Sequence, residues 1–142
     1  MSGRGTWRKQ RRDAVTALAA ADDRRRARET EQARAMLAEF VAGQRAAGVT
    51  PQPLRARVPG RGKSYRTGLT GWYLRKNRSL AVGEDGSYYI LDVPPSLVAR
   101  FRGVTIEPSD PPLVVGRGAR DGESIELAEL LRRARAESEA PK

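Results

Sequence analysis

Apolar and polar positions alternate most clearly in residues 67–93, which read T-G-L-T-G-W-Y-L-R-K-N-R-S-L-A-V-G-E-D-G-S-Y-Y-I-L-D-V. Short runs of aromatic and branched residues are separated there by two turn signals, a pattern that predicts a three-stranded antiparallel meander. Asp85-Gly86 is the stronger signal, because a two-residue type I′ loop needs positive φ at both central positions. A loop of those two residues pairs Glu84 with Ser87, Val82 with Tyr89 and Leu80 with Leu91. That register puts Leu80, Val82, Tyr89, Leu91 and Val93 on one face, and Ala81, Gly83, Tyr88 and Ile90 on the other. The first turn, around Lys76-Asn77-Arg78, gathers Arg75, Lys76 and Arg78 at one tip.

A different period rules the N-terminal third. Residues 7–42 contain neither Gly nor Pro and are rich in Ala, Arg, Glu, Gln and Leu, the strongest helix formers. Thr6 is placed to cap this helix and Gly43 or Gly48 to end it. An unbroken helix of that length is about 50 Å long. Trp7, Ala14, Val15 and Leu18 mark an apolar stripe in its first half, and Met36, Leu37, Phe40 and Val41 mark one in its second. Residues 22–32 between them are polar nearly all round, as in a solvated helix that bridges two contacts. The end near Phe40 is expected to pack on the folded domain, and the end near Trp7 to project, pair with itself or meet a partner. Arg8-Lys9-Gln10-Arg11-Arg12 followed by the Ala-rich run to Ala21 imitates a cleaved leader. Asp13 interrupts it and Asp22-Asp23 follow at once, so the reading is helix.

Residues 49–62 carry Pro51, Pro53 and Pro59 and read as a linker, with 54–58 as a short edge strand. Residues 63–69 start the sheet proper and lead into Trp72-Tyr73-Leu74. Pro94-Pro95 stops the third strand of the meander; 96–101 suits one helical turn, and 104–107 and 113–116 suit strands. Ser124 or Glu123 opens a closing helix over 125–137, with Ile125, Leu127, Leu130 and Leu131 toward the core. The expected fold is α+β: a long N-terminal helix, a Pro/Gly linker, a small antiparallel sheet of about five strands and a C-terminal helix. In domain terms, 1–48 is a basic helical extension, 49–62 a linker, 54–137 a small α+β domain and 138–142 a tail.

Composition narrows the chemistry. Among 142 residues there is no cysteine and no histidine. That removes disulfides, thiolate nucleophiles, Cys/His zinc sites and imidazole-based catalysis. An enzyme here would have to rely on carboxylates, Lys, Tyr or Arg. No cofactor or metal is expected. The formal net charge is +10, which favours nucleic acid, an acidic protein face or an anionic membrane surface. Lys9, Lys63, Lys76 and Lys142 are the only lysines; abundant Arg and Ala with little Lys is also what a GC-rich genome produces. Residues 51–103 hold ten basic and three acidic residues, whereas 104–142 hold six basic and eight acidic. The positive field therefore belongs to the N-terminal helix, the linker and the meander. No uncharged apolar run approaches the ~20 residues of a membrane span.

Two glycine-rich motifs fail their tests. Gly62-Lys63-Ser64 imitates the end of a phosphate-binding loop, but Arg57 stands where that loop needs its first Gly. Residues 116–122 resemble a dinucleotide fingerprint, but Asp121 holds the third Gly position. The carboxylate pairs Glu84/Asp85 and Asp121/Glu123 sit in turns, where acidic residues are ordinary. The positive signal is the interleaving of aromatics and bases, the arrangement by which single-strand binders stack bases and neutralise phosphates. Tyr73, Arg75 and Tyr88 are expected on one solvent-side surface. Trp72 and Tyr89 read more readily as core.

The block 71–83 through Tyr89, with Pro111-Pro112-Leu113-Val114-Val115-Gly116 and Asp121-Gly122-Glu123-Ser124-Ile125, resembles small uncharacterised proteins of high-GC Gram-positive bacteria over roughly the last two thirds of the chain. The resemblance implies a compact cytoplasmic protein and no particular activity.

The expected function is a non-enzymatic module that meets RNA or DNA backbone in a sequence-tolerant way, through Arg61, Lys63, Arg66, Tyr73, Arg75, Lys76, Arg78 and Tyr88. The alternative is a protein-interaction module in which Trp7, Val15, Leu18, Met36, Leu37 and Phe40 of the N-terminal helix meet a second copy or a partner helix. A carboxylate enzyme is the remaining and weakest alternative.

Overall fold

A computed structural model describes residues 3–116 and 124–139, with the side chain of Glu139 outside the description. Helix α1 (Gly3–Ala46) runs unbroken for 44 residues, about 66 Å at 1.5 Å per residue. It contributes Ala33, Leu37, Phe40, Val41 and Gln44 to the interior, spacings that keep one stripe facing the sheet. Residues 3–32 contribute no buried side chain. The helix thus has a docked third and a projecting remainder, as its two apolar stripes predict.

Four antiparallel strands follow in sequential order: β1 (Gln52–Val58), β2 (Lys63–Tyr73), β3 (Leu80–Gly83) and β4 (Tyr88–Ile90). Of the Pro/Gly segment 49–62, residues 52–58 form β1 and 59–62 the turn into β2, so the connection from α1 narrows to 47–51. Three β2 residues stand opposite one β1 residue between the Pro53↔Thr70 and Arg55↔Arg66 pairs. Gly68 takes φ +75 there, and the Thr67 hydroxyl donates to the Leu54 carbonyl at 2.6 Å. Such a bulge bends its strand. The chain after β4 reaches the free edge of β1: Arg57 N–H donates to the Leu91 carbonyl at 2.8 Å, and Val93 N–H to the Arg57 carbonyl at 2.9 Å. The two outer edges of the sheet meet at this parallel bridge, which leaves less unpaired edge for another chain.

The register of β3 and β4 differs from the sequence expectation by one residue. Val82 pairs with Tyr88, Ala81 with Tyr89 and Leu80 with Ile90. The loop holds three residues, Glu84-Asp85-Gly86, closed by Gly83 N–H donating to the Ser87 carbonyl at 2.9 Å. Gly86 takes φ +87, and the Asp85 carboxylate accepts from the Ser87 N–H and hydroxyl. A type I turn closed by a left-handed residue satisfies the Asp-Gly signal as well as a two-residue loop does. The slip carries Tyr88 to the same face as Leu80 and Val82, and leaves Tyr89 and Leu91 with Ala81 on the other.

Both faces are buried. Trp72, Leu74, Leu80, Val82 and Tyr88 pack with Leu37, Phe40 and Val41 of α1 and with Leu127, Leu130, Leu131 and Ala134 of α3 (Leu127–Glu139). Leu54, Ala81, Tyr89 and Leu91 form a second cluster with Leu69, Tyr73 and Ile106. A third, of Val58, Tyr65 and Ala99, lies under the short helix α2 (Leu97–Arg102). Residues 104–107, expected as a strand, are irregular. Val104 makes one backbone bond to Arg66 at 2.8 Å, then the segment crosses on, so Val104 and Ile106 join different clusters. Strand β5 (Val114–Val115) pairs with β6 (Ile125–Glu126), so Ile125 opens as strand and the closing helix begins two residues later. Residues 138–139 belong to α3, and the Ser138 hydroxyl accepts from buried Gln44 Nε2 at 3.0 Å. The loop 116–122 and the pair Asp121/Glu123 lie outside the described residues beyond Gly116.

Gly71 of β2 stands opposite Gly83 of β3. A Cβ on it would lie 2.1 Å from the Val82 carbonyl oxygen, so Gly71→Ala must force the strands apart and destabilise by about 1–3 kcal/mol or more. Phe40→Ala is expected to cost about 3–5 kcal/mol and Leu18→Ala no more than about 0.5 kcal/mol, both read from urea unfolding. On α3, hydrogen bonds from Arg132 and Arg133 hold the Glu129 carboxyl down to about 2. A depressed carboxylate stabilises above its unfolded value and loses that contribution as pH falls. The difference between wild type and Glu129→Gln is therefore expected to be present at neutral pH and gone by about pH 2.

Candidate nucleic-acid interface

The residues expected at the interface separate into two groups. Arg61 and Lys63 lie exposed at the turn between β1 and β2, with Arg66 close behind on β2. Arg75, Lys76 and Arg78 occupy the turn between β2 and β3. The two groups therefore stand at opposite ends of β2.

The aromatic residues do not form the expected stacking surface. Tyr88 is only 4% exposed and belongs to the core against α1 and α3. The cause is the one-residue register shift, which turns its ring to the helix side. Burial raises its phenol pKa above the usual 10, against an opposing pull from the Arg75 charge. Tyr73 is half-buried. Its ring packs against the Leu54–Tyr89 cluster, its hydroxyl accepts from Arg55 N–H at 2.9 Å, and the Arg78 guanidinium lies 5.4 Å from its ring centre. That cation–π contact occupies a ring face a base would need. Arg78 reaches it from a left-handed backbone, φ 62, beside Asn77, whose side chain accepts from Ser79.

The cationic side chains remain available. Residues 52–83 contain eight basic residues and no acidic one. Arg57 is engaged by Asp92 at 2.6 Å, Arg55 by Ser64, and Arg66 donates to the Phe101 carbonyl at 2.9 Å. Among the described residues, Arg61, Lys63, Arg75 and Lys76 form no ion pair. On α1, residues 3–12 carry five bases and no acid. The pair Arg25–Asp22 is the one ion pair described within residues 3–32. Arg11 stacks over Trp7 at 5.1 Å, beside an open hollow lined by Trp7, Arg8, Arg11, Arg12, Val15 and Thr16.

The helix-partner residues also divide. Trp7, Val15 and Leu18 are 59–69% exposed. Leu37 and Phe40 are fully buried and Met36 packs against the same core, so the sheet itself already covers that stripe. Periodicity marks both stripes; the second is the one expected to dock, and Trp72 and Leu80 of the sheet with Leu127, Leu130 and Leu131 of α3 pack with it. A further surface escaped sequence reading: Leu97, Val98 and Phe101 of α2 are exposed, between Arg100 and Arg102. Three apolar residues on a short helix ordinarily read as its buried side.

The described residues contain no group of three or more His, Cys, Asp or Glu that could hold a metal. No described helix is long and apolar enough to cross a membrane. Comparisons with protein-family models, with curated proteins and with solved structures find no match.

Spectrophotometric titration checks the Tyr88 placement. A raised folded pKa means stability is intact below the unfolded value near 10 and falls as pH rises past it. Wild type is expected to lose stability above pH 10 more steeply than Tyr88→Phe.

Proposed function

We propose that this chain is a non-enzymatic module that contacts the phosphate backbone of RNA or DNA with little regard for sequence. The projecting part of α1 carries the proposal. Residues 3–12 place five cations and no anion at a helix N-terminus. There the macrodipole disfavours positive charge, so an anionic polymer alongside would relieve a strain the free protein bears. The unpaired cations of the β2–β3 turn supply a second contact of the same kind. Phosphates, not bases, are the expected contacts, because the buried Tyr88 and the Arg78-covered Tyr73 leave no stacking platform on the sheet. The acidic residues of the β3–β4 turn are otherwise engaged: Glu84 bonds Thr70 and Arg45, and Asp85 bonds Ser87.

A second reading keeps α1 as a protein-binding element, now confined to Trp7, Val15 and Leu18. It predicts concentration-dependent self-association in sedimentation that Leu18→Glu abolishes; a single monomeric species removes the self-pairing form.

Fluorescence anisotropy with labelled single-stranded RNA and duplex DNA across a salt series tests the first reading. Binding is expected to weaken steeply with salt. Arg8→Gln/Arg11→Gln/Arg12→Gln and Arg75→Gln/Lys76→Gln/Arg78→Gln should each flatten the log–log slope on duplex DNA, by about 0.9 for each phosphate no longer neutralised. Absence of binding at low salt, or affinity indifferent to salt, would refute the proposal.

A further inference from the structure

Helix α2 is amphipathic in the opposite sense to a core helix. Its small residue, Ala99, faces Val58 and Tyr65. At about 100° per residue, Leu97, Phe101 and Val98 fall together on the far side of the helix, with Arg100 and Arg102 on either flank. The apolar side chains are 64–77% exposed.

This outward face is held in place at both ends. Ser96 caps the helix, its hydroxyl accepting from Ala99 N–H at 3.2 Å, and Ser96 N–H donates to the Tyr65 hydroxyl at 2.9 Å. At the other end Arg66 holds the Phe101 carbonyl. Gly103 (φ +77) lies so close to the Arg66 carbonyl oxygen that a Cβ would approach to 2.8 Å. Val58 and Tyr65 flank the β1–β2 turn, so Arg61 and Lys63 adjoin α2. Residues 93–106 contain no acid, and Asp92 is taken up by Arg57.

We propose that α2 and the β1–β2 turn dock the protein on the surface of an anionic lipid bilayer. Leu97, Val98 and Phe101 enter the interface, while Arg100, Arg102, Arg61 and Lys63 meet headgroup phosphates. Each cation near an anionic surface strengthens attachment by roughly fivefold, and apolar side chains that reach the acyl boundary add to it. The exposure of the three side chains favours a bilayer over a protein. Side chains that line a peptide groove are half-buried before binding, whereas these stand proud. A stable protein interface also needs about 800 Å² per partner around a matched pocket, while a bilayer accepts knobs of any shape. Nucleic acid has no use for Leu97 and Val98. The surface is separate from the α1 and β2–β3 cations assigned above.

The test is co-sedimentation of the full chain with phosphatidylcholine vesicles, alone or containing one third phosphatidylglycerol. Binding is expected only with phosphatidylglycerol, and Leu97→Ser/Phe101→Ser is expected to weaken it roughly tenfold or more. The same variant should leave the far-ultraviolet spectrum and the RNA anisotropy curve unchanged, which separates this proposal from the preceding one. Because the chain has no cysteine, Val98→Cys gives a single site for an environment-sensitive fluorophore. Its emission should shift to the blue on anionic vesicles and on no others. Absence of vesicle binding would overturn the proposal. So would binding that Leu97→Ser/Phe101→Ser does not weaken, or a label that stays in water, since either means charge attraction through α1 alone.

Discussion

Between β3 and β4 the chain turns in three residues, Glu84-Asp85-Gly86, and that number decides which side chains meet the helices. With three, Leu80, Val82 and Tyr88 face Leu37 and Phe40; with two, Tyr89 and Leu91 would take that face and the second cluster would lose half its members. The constraint spreads outward. Leu91 fills the cluster beside Leu54, and its carbonyl accepts from Arg57. The meeting of the sheet's edges therefore depends on the same register.

Much of this architecture is legible in the order of residues. The Gly- and Pro-free run predicts α1, the two apolar stripes predict one docked and one projecting portion, and Ser96 after Pro94-Pro95 marks α2. What escapes is geometry that several local solutions satisfy equally. Asp85-Gly86 suits a two-residue loop and a bulged three-residue loop, and both leave a plausible apolar face because β3 and β4 are apolar on both. Ile125 leads straight into the helical stripe of Leu127, Leu130 and Leu131, yet pairing with Val115 claims it for β6. Residues 104–107 have the composition of a strand but find only one backbone partner on β2. The interface residues fared unevenly for the same reasons. Arg61, Lys63 and Lys76 lie exposed as their turn positions imply, whereas Tyr88 follows the register inward.

The ion pairs show where charge serves the fold. Arg34–Asp110, Arg45–Glu84 and Arg57–Asp92 each join separate elements, and Arg45 also lies 5.7 Å from the Trp72 ring centre. Exposed pairs of this kind contribute little individually. The remaining cations are left over, on α1, at two turns and around α2. Their excess is a property of surface that the core does not require.

Gly71 carries an implication for descent. A position where any β-carbon collides with a neighbouring carbonyl admits one amino acid for as long as the two strands remain paired, whatever drifts around it. Surface arginines can be gained and lost with genome composition, and the apolar core can be repacked in concert. Sequences that diverged beyond recognition elsewhere would still have to spell glycine before the core aromatic, so this small residue is a better marker of common ancestry here than the abundant charge.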